Sequence, residues 1–479
     1  MFLFFSNIYF MFDITFIFIW EYARLLISKN YKQFIHNVAD RLSKKNILYV
    51  KAFQAVSLNN NFIDNEINNE LLKYTDSAPY NDDDIDDELL FRLTKRFNLQ
   101  PSGKFEPINS GMISLVYKMM MMDTNEEVII KIKRKNIGKR LDDAIDKLLF
   151  TIYLISYIPY FNTLNIPSVI KKNILLLRNQ LDFHEEIKNT IEMSDNCKNL
   201  KYIKIPKIYE DATAAFPDAI MMEYIKGTHI SKLDESDYEK YAKLVLKFGF
   251  VTLINNSVTH GDLHAGNILF IKNMDGASRI GERLESVTLV KDSGSFPEYQ
   301  IGIIDFGIVI RINEKTTTTF LDVMTALFSE TGKSLAKKIL DAIIEPRDVF
   351  DSIPNEHKEN LYIETGKIID EMVHKSKKAN QARIYEIITG FNKYLNNNNL
   401  KKYNVYISDD FVKMQMALAM AHGASMCLCK NEYMTFANQV LDDLFHINLL
   451  FIDSGETGIR NVSEGFVKDS DKSDLLYEQ

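Results

Sequence analysis

The chain has 479 residues, 46% of them apolar, which is enough for one large two-lobed domain with extensions or for two domains. A formal net charge of −8 argues against nucleic acid as the main partner, because a phosphate backbone demands a basic surface. Three cysteines, Cys197, Cys427 and Cys429, make no disulfide framework and fit an intracellular, reducing compartment.

Residues 1–20 are almost wholly apolar, interrupted by Asn7 and Asp13. Their length suits a membrane span of ~20 residues. Arg24, Lys29 and Lys32 follow, which would favour a cytoplasmic C-terminal side. No basic stretch precedes the run and no small-residue cleavage site follows, so it does not read as a secretory leader. Asp13 near its centre would cost about 2.5–3.5 kcal/mol in a bilayer. The segment is therefore either a membrane anchor or a helix packed on the domain. Residues 21–100 read as a helical extension. Within it, Asn81 to Glu88 is an acidic run (Asp82, Asp83, Asp84, Asp86, Asp87) expected to be a solvated loop rather than a metal site.

Residues 104–228 have the pattern of a small sheet-bearing lobe. The run Val128-Ile129-Ile130-Lys131 reads as a buried strand that points an ammonium into a cleft, making Lys131 the candidate for the α- and β-phosphates of a nucleotide. About 20 residues earlier, segment 107–116 meets a kinase glycine-loop pattern only at Gly111 and Val116, and its spacing to Lys131 is what gives it weight. Residues 140–195 read as helices, with Pro167 between them. Residues 202–225 return to strand character and end at Met222-Glu223-Tyr224, a hinge-like run whose Glu223 and Tyr224 are candidates for adenine contacts through the backbone.

Residues 229–454 read as the second lobe. Helical spacing over 236–258 delivers the chain to His260-Gly261-Asp262-Leu263-His264-Ala265-Gly266-Asn267, and Asp305-Phe306-Gly307 follows about 40 residues later. Asp262 and Asn267 are five apart, as in the catalytic loop of protein kinases. With Asp305 they supply a carboxylate for an acceptor hydroxyl and an amide plus a carboxylate for Mg²⁺. Phosphoryl transfer needs that set, because the protein must position the γ-phosphate and neutralise its charge, and Mg²⁺ takes hard oxygen ligands. Residues 271–300 are an insertion expected to form a surface hairpin or loop. The chain beyond Asp305 reads as helical to about 453, with 411–428 as a core helix and 455–479 as a polar tail. His184, His229 and His422 read as structural; His264 either lines the cleft or is structural.

These motifs resemble the UbiB/ADCK group of atypical kinases, the aarF-domain-containing kinases, over roughly residues 40–310. The family's His-Gly-Asp-x-His-x-Gly-Asn is matched in full by His260 to Asn267, its Asp-Phe-Gly by Asp305, and its strand lysine by Lys131. Its Glu-Leu-Asp-Phe-x-x-Glu helix stands here as Gln180-Leu181-Asp182-Phe183-His184-Glu185-Glu186, which makes Glu186 the implied ion-pair partner of Lys131. Its N-terminal Lys-x-Gly-Gln stands as Lys51-Ala52-Phe53-Gln54, and the resemblance implies that Lys51 and Gln54 reach the nucleotide site near Asp182. It also implies that His260 braces the catalytic loop. Phe53 in place of glycine, Gln180 in place of glutamate, and Asn59 and Asn61 where arginine and aspartate stand in the family are departures that bear on that N-terminal arrangement and leave Asp262, Asn267 and Asp305 untouched.

The expected fold is α+β, a two-lobed protein-kinase-like fold with an N-terminal helical extension. The expected activity is Mg²⁺-dependent ATP binding with hydrolysis or phosphoryl transfer, with ATP and Mg²⁺ as cofactors. The acceptor is a lipid, a small molecule or a protein. The resemblance implies a role near membrane lipids, such as isoprenoid-quinone biosynthesis. The alternatives are a small-molecule phosphotransferase of the aminoglycoside/choline kinase type, and a pseudokinase that binds lipid or protein without turnover.

Overall fold

The computed structural model describes residues 2–46, 48–49, 78, 80–155, 178, 181–273, 297–330, 332–378 and 405–429. Lys51, Gln54, Gln180, insertion residues 274–296 and the tail 455–479 lie outside them. The chain divides into two compact units, Met1–Ile191 with Pro206–Ile225 and Glu192–Ile205 with Lys226–Gln479.

The first unit holds a five-stranded antiparallel sheet. Strands β1 (Leu99–Pro101), β3 (Ser114–Met121), β4 (Glu126–Lys133) and β6 (Ala219–Glu223) lie in the order β1-β3-β4-β6, and β2 (Asn109–Ser110) also pairs with β3. Period-two alternation sorts the side chains of β4. Val128, Ile130 and Ile132 enter a core with Leu115, Tyr117 and Met119 of β3 and Leu90 and Leu93 of a helix at Asp87–Arg96. Ile129 faces the other way, into a cluster with Phe183, Ile187, Ile220 and Met222.

Helix α1 (Phe2–Ser28) buries Phe10, Ile14 and Ile17 against Val38 and Leu42 of α2 (Tyr31–Lys45). Its two interior acids find partners rather than lipid. Asp13 is paired with Lys45, and buried Glu21 accepts from Asn37 at 2.9 Å, with Arg41 at 3.3 Å. Among the described residues no helix is long and apolar enough to cross a membrane.

The acidic run departs from expectation. Asp84 is 1% exposed and pairs with Arg134 at 3.1 Å and with Arg140, while its Oδ2 also accepts the Asn81 N–H at 3.0 Å. Asp82 and Asp83 remain exposed. A carboxylate this deep is retained because two guanidinium groups and a backbone amide replace the water it lost.

The second unit is mainly helical. The helix Tyr238–Asn256 packs on the helix Asp409–Leu428 so closely that a Cβ on Gly249 would lie 2.3 Å from the Ala421 Cβ. Its small sheets bring together β7 (Val258–His260) with β10 (Val309–Arg311), and β8 (Ile268–Lys272) with β9 (Tyr299–Ile303), which also takes β5 (Ile203–Lys204) in parallel. The chain after Asp305 is thus not purely helical: β10 and a short pair at Ile344–Glu345 and Tyr406–Ile407 interrupt it. The insertion hangs from the end of the β8–β9 ladder, where Lys272 faces Tyr299.

Candidate functional site

Lys131 shares a face of β4 with Ile129, the face that Phe183 and Ile187 cover. Those two residues open the helix Phe183–Cys197, whose first turns also carry Glu186. Lys131 Nζ lies 2.5 Å from Glu186 Oε1, with the two side chains 12% and 6% exposed. The pair is largely desolvated, so its attraction is little screened by salt. Asp182 accepts the His184 N–H at 3.0 Å at the start of this helix, and there it acts as an N-terminal cap.

Gly111 sits at the turn between β2 and β3. Its N–H donates to Ser114 O at 2.9 Å and its carbonyl accepts from Arg134, so its backbone closes the hairpin. At the end of β6, the Glu223 N–H donates to Lys207 O at 2.8 Å and the Tyr224 N–H to Glu127 O at 3.2 Å. Lys118 Nζ stands 3.9 Å above the Tyr224 ring.

In the second unit, β7 ends at buried His260, and the chain turns through Gly261 to Asp262. A Cβ at Gly261 would come within 2.6 Å of Ile308 and 2.9 Å of Ile310, so only glycine lets this turn lie against β10. The His260 imidazole bridges two segments. Nε2 donates to the Asp305 carbonyl at 2.5 Å, and Nδ1 accepts the Asp262 N–H at 3.0 Å. Those opposite roles require a neutral ring, and burial pushes the imidazole pKa below its ordinary value despite the nearby Asp262 and Asp305 carboxylates.

The other motif side chains are held in the same way. Asn267 Nδ2 donates to the Asp262 carbonyl at 3.0 Å, which turns Oδ1 away from that carbonyl. The Ile304 N–H donates to Asn267 O at 3.1 Å, and the Gly307 N–H to Asp305 Oδ1 at 2.9 Å. His264 Nδ1 accepts the Gly266 N–H at 3.1 Å and so caps the short turn that carries Asn267. One imidazole and one amide thus hold Asp262, Asn267 and Asp305 in a fixed relation. The donor set offered by Asn267 and Asp305, an amide oxygen and a carboxylate, is a hard-oxygen pair of the kind Mg²⁺ takes. Among the described residues no three His, Cys, Asp or Glu side chains gather into a metal site of their own.

The loop pattern is shared with a known family. An ABC1 atypical kinase-like domain model matches residues 101–339, a span that contains Lys131, Glu186 and the whole of the catalytic-loop network. The chain carries an ABC1 atypical kinase-like domain. The ABC1 family protein YPL109C, mitochondrial, of Saccharomyces cerevisiae is 23% identical over 384 residues, covering 74% of this chain and 55% of that protein. A probable protein kinase UbiB of Blochmanniella pennsylvanica is 25% identical over 249 residues, covering 50% of this chain and 41% of that protein. The chain thus spans about half, or less, of the length of these relatives. Among solved structures, the complex of Rv3197 with erythromycin from Mycobacterium tuberculosis covers 61% of this chain and 69% of its own, at 18% identity and a TM-score of 0.36, too loose a likeness to add to the fold assignment.

The buried pair of Arg134, within the matched span, and Asp84, ahead of it, is not legible in the sequence. Arg134 stands in a basic run, Lys133-Arg134-Lys135, that reads as surface, yet it is 3% exposed. Burial lowers its pKa to about 10, which leaves it charged at neutral pH beside Asp84.

Proposed function

We propose that this chain is an atypical kinase or ATPase that binds Mg-ATP. The observation that supports the reading is the His260 bridge, which joins the Asp305 carbonyl to the Asp262 amide and so ties together the two segments that carry the motif carboxylates and Asn267. Bound Mg²⁺ would neutralise charge on the phosphate oxygens, with Asn267 and Asp305 as its protein ligands. Asp262 accepts the proton of the attacking hydroxyl or water. Lys131, held by Glu186, binds the α- and β-phosphates. Gly111, Glu223 and Tyr224 lie on the sheet edges and turn that would border the base and phosphates.

The test is to incubate the pure protein with labelled ATP, Mg²⁺ and liposomes and to follow phosphate release and nucleotide binding together. Mg²⁺-dependent binding with turnover that Asp262→Asn abolishes supports the reading. Absence of Mg²⁺-dependent binding overturns it. Binding without turnover would favour the pseudokinase alternative, and transfer to amino alcohols or aminoglycosides the small-molecule one.

The place of work we propose is inside the cell at a membrane surface, in lipid or isoprenoid-quinone metabolism as the family likeness implies. Supporting it, the face of α1 opposite its packed stripe exposes Tyr9, Phe12, Phe16, Ile19 and Trp20, with Arg24 and Lys29 beyond. Aromatic rings beside basic residues suit the interfacial region of a bilayer. Flotation with anionic liposomes should be lost in Phe12→Asp/Phe16→Asp, and undiminished flotation would exclude this helix as the contact.

A further inference from the structure

We propose that Arg134 is the positioning residue of the β2–β3 turn and couples that turn to Ala78, where the N-terminal extension reaches the sheet. The proposal deepens the Mg-ATP reading and rests on it for the turn's role as a nucleotide border.

The turn's own backbone supplies one closing bond, from the Gly111 N–H to Ser114 O at 2.9 Å. Gly111 is not in the left-handed region, and a Cβ there would meet Ser114 at an ordinary 3.6 Å, so glycine geometry does not dictate the turn. Arg134 supplies the rest. Its Nη2 donates to Gly111 O at 2.7 Å, to Ser110 Oγ at 2.8 Å and to Ala78 O at 3.3 Å, and its Nε reaches Gly111 O at 3.1 Å. Its own backbone N–H donates to Ile113 O at 2.8 Å, so one residue grips both sides of the turn.

Ser110 closes the link to the extension. Its hydroxyl donates to Ala78 O at 2.7 Å, and the Ala78 N–H donates to Ser110 O at 2.7 Å. Asp84, paired with Arg134 Nη1 at 3.1 Å, balances the buried charge, while Met112 and Ile113 pack against Ile137 beneath the turn. Kinase glycine loops work as movable flaps; this one is clasped from below by a planar fork reading several oxygens at once. Lysine keeps the charge but not the fork. Because Arg134 is three residues past Lys131 on the same chain, the clasp also fixes the distance between the turn and the phosphate-binding ammonium.

The experiment compares wild type, Arg134→Lys, Ser110→Ala and Leu93→Ala. The last removes a fully buried core side chain of the same unit and serves as a control matched for lost stability. Three readouts are taken: Kd for Mg-ATP, kcat against KM, and amide hydrogen exchange over residues 109–114. Arg134→Lys should raise Kd and KM roughly tenfold, about the worth of one charge-assisted hydrogen bond, with kcat nearly unchanged and exchange of the turn accelerated. Ser110→Ala should move the same quantities by a smaller factor. Leu93→Ala should lower Tm without moving them. Should Arg134→Lys fail to fold, Ser110→Ala carries the test. Equal Kd and equal exchange in the Arg134 or Ser110 variants and the Leu93 control overturn the proposal, as does faster exchange with unchanged Kd. A wild-type protein that binds no nucleotide is instead a failure of the Mg-ATP reading, and exchange alone then decides whether Arg134 holds the turn.

Discussion

Consider replacing the Lys131–Glu186 pair one side at a time and then together. At 2.5 Å the gross attraction is roughly 7 kcal/mol at an effective dielectric of about 20. Desolvation opposes it by several kcal/mol per ion, so the pair as a whole contributes little net stability. Removing one partner is different, because the survivor is stranded at 12% or 6% exposure. Lys131→Met and Glu186→Leu should therefore each destabilise by about 3 kcal/mol. The double variant places two apolar side chains beside Ile129, Phe183 and Ile187, and should return to within about 1 kcal/mol of wild type. Urea unfolding of the four proteins measures the cycle. Mg-ATP binding, followed in parallel, should be lost in the two variants that lack Lys131, including the restabilised one, and weakened in Glu186→Leu, which leaves the ammonium without its anchor. Single variants that each lose under about 0.5 kcal/mol would refute the reasoning, since that is the behaviour of exposed pairs. So would a double variant whose loss equals the sum of the singles.

Asp305→Asn keeps an oxygen for the Gly307 N–H but removes the charged Mg²⁺ ligand, so the protein should fold normally while its Mg²⁺-dependent nucleotide affinity falls by roughly tenfold or more, as titration with and without Mg²⁺ would report. Gly261→Ala should cost about 1–3 kcal/mol in urea unfolding, because its Cβ must push aside Ile308 and, in β10, Ile310. His260 has its folded pKa held below the ordinary 6.5, so the unfolded chain takes up the proton first; its contribution is complete above about pH 6.5 and is lost as pH falls below it. Stability measured from pH 8 to 5 should therefore decline less steeply below 6.5 in His260→Gln than in wild type, and equal slopes would remove His260 from the account.

Much of the candidate site is legible along the chain because its chemistry is local. The five-residue step from Asp262 to Asn267 is a single loop whose internal hydrogen bonds to His260 and Asp262 are local, while the segment 304–310 braces it from outside. The direction of Lys131 follows from strand periodicity, which sends alternate side chains to opposite faces. Glu186 is legible only through family likeness, since nothing in a helix says which distant strand it will cover.

The charges that local pattern misplaced are those settled by remote partners. Asp84 sits in an acidic run and Arg134 in a basic one, and each run read alone is a solvated surface. Only the fold brings the two side chains together, 50 positions apart, and a pair formed at that distance permits both to be buried. Asp13 is similar: its partner Lys45 lies 32 positions on, in a second helix. Local sequence determined the chemistry of the candidate site, because motif spacing and strand alternation act over a few residues. Tertiary structure decided which charges leave water, because desolvating an ion is tolerable only where an opposite charge or a set of hydrogen bonds meets it, and that meeting is a property of the packed chain.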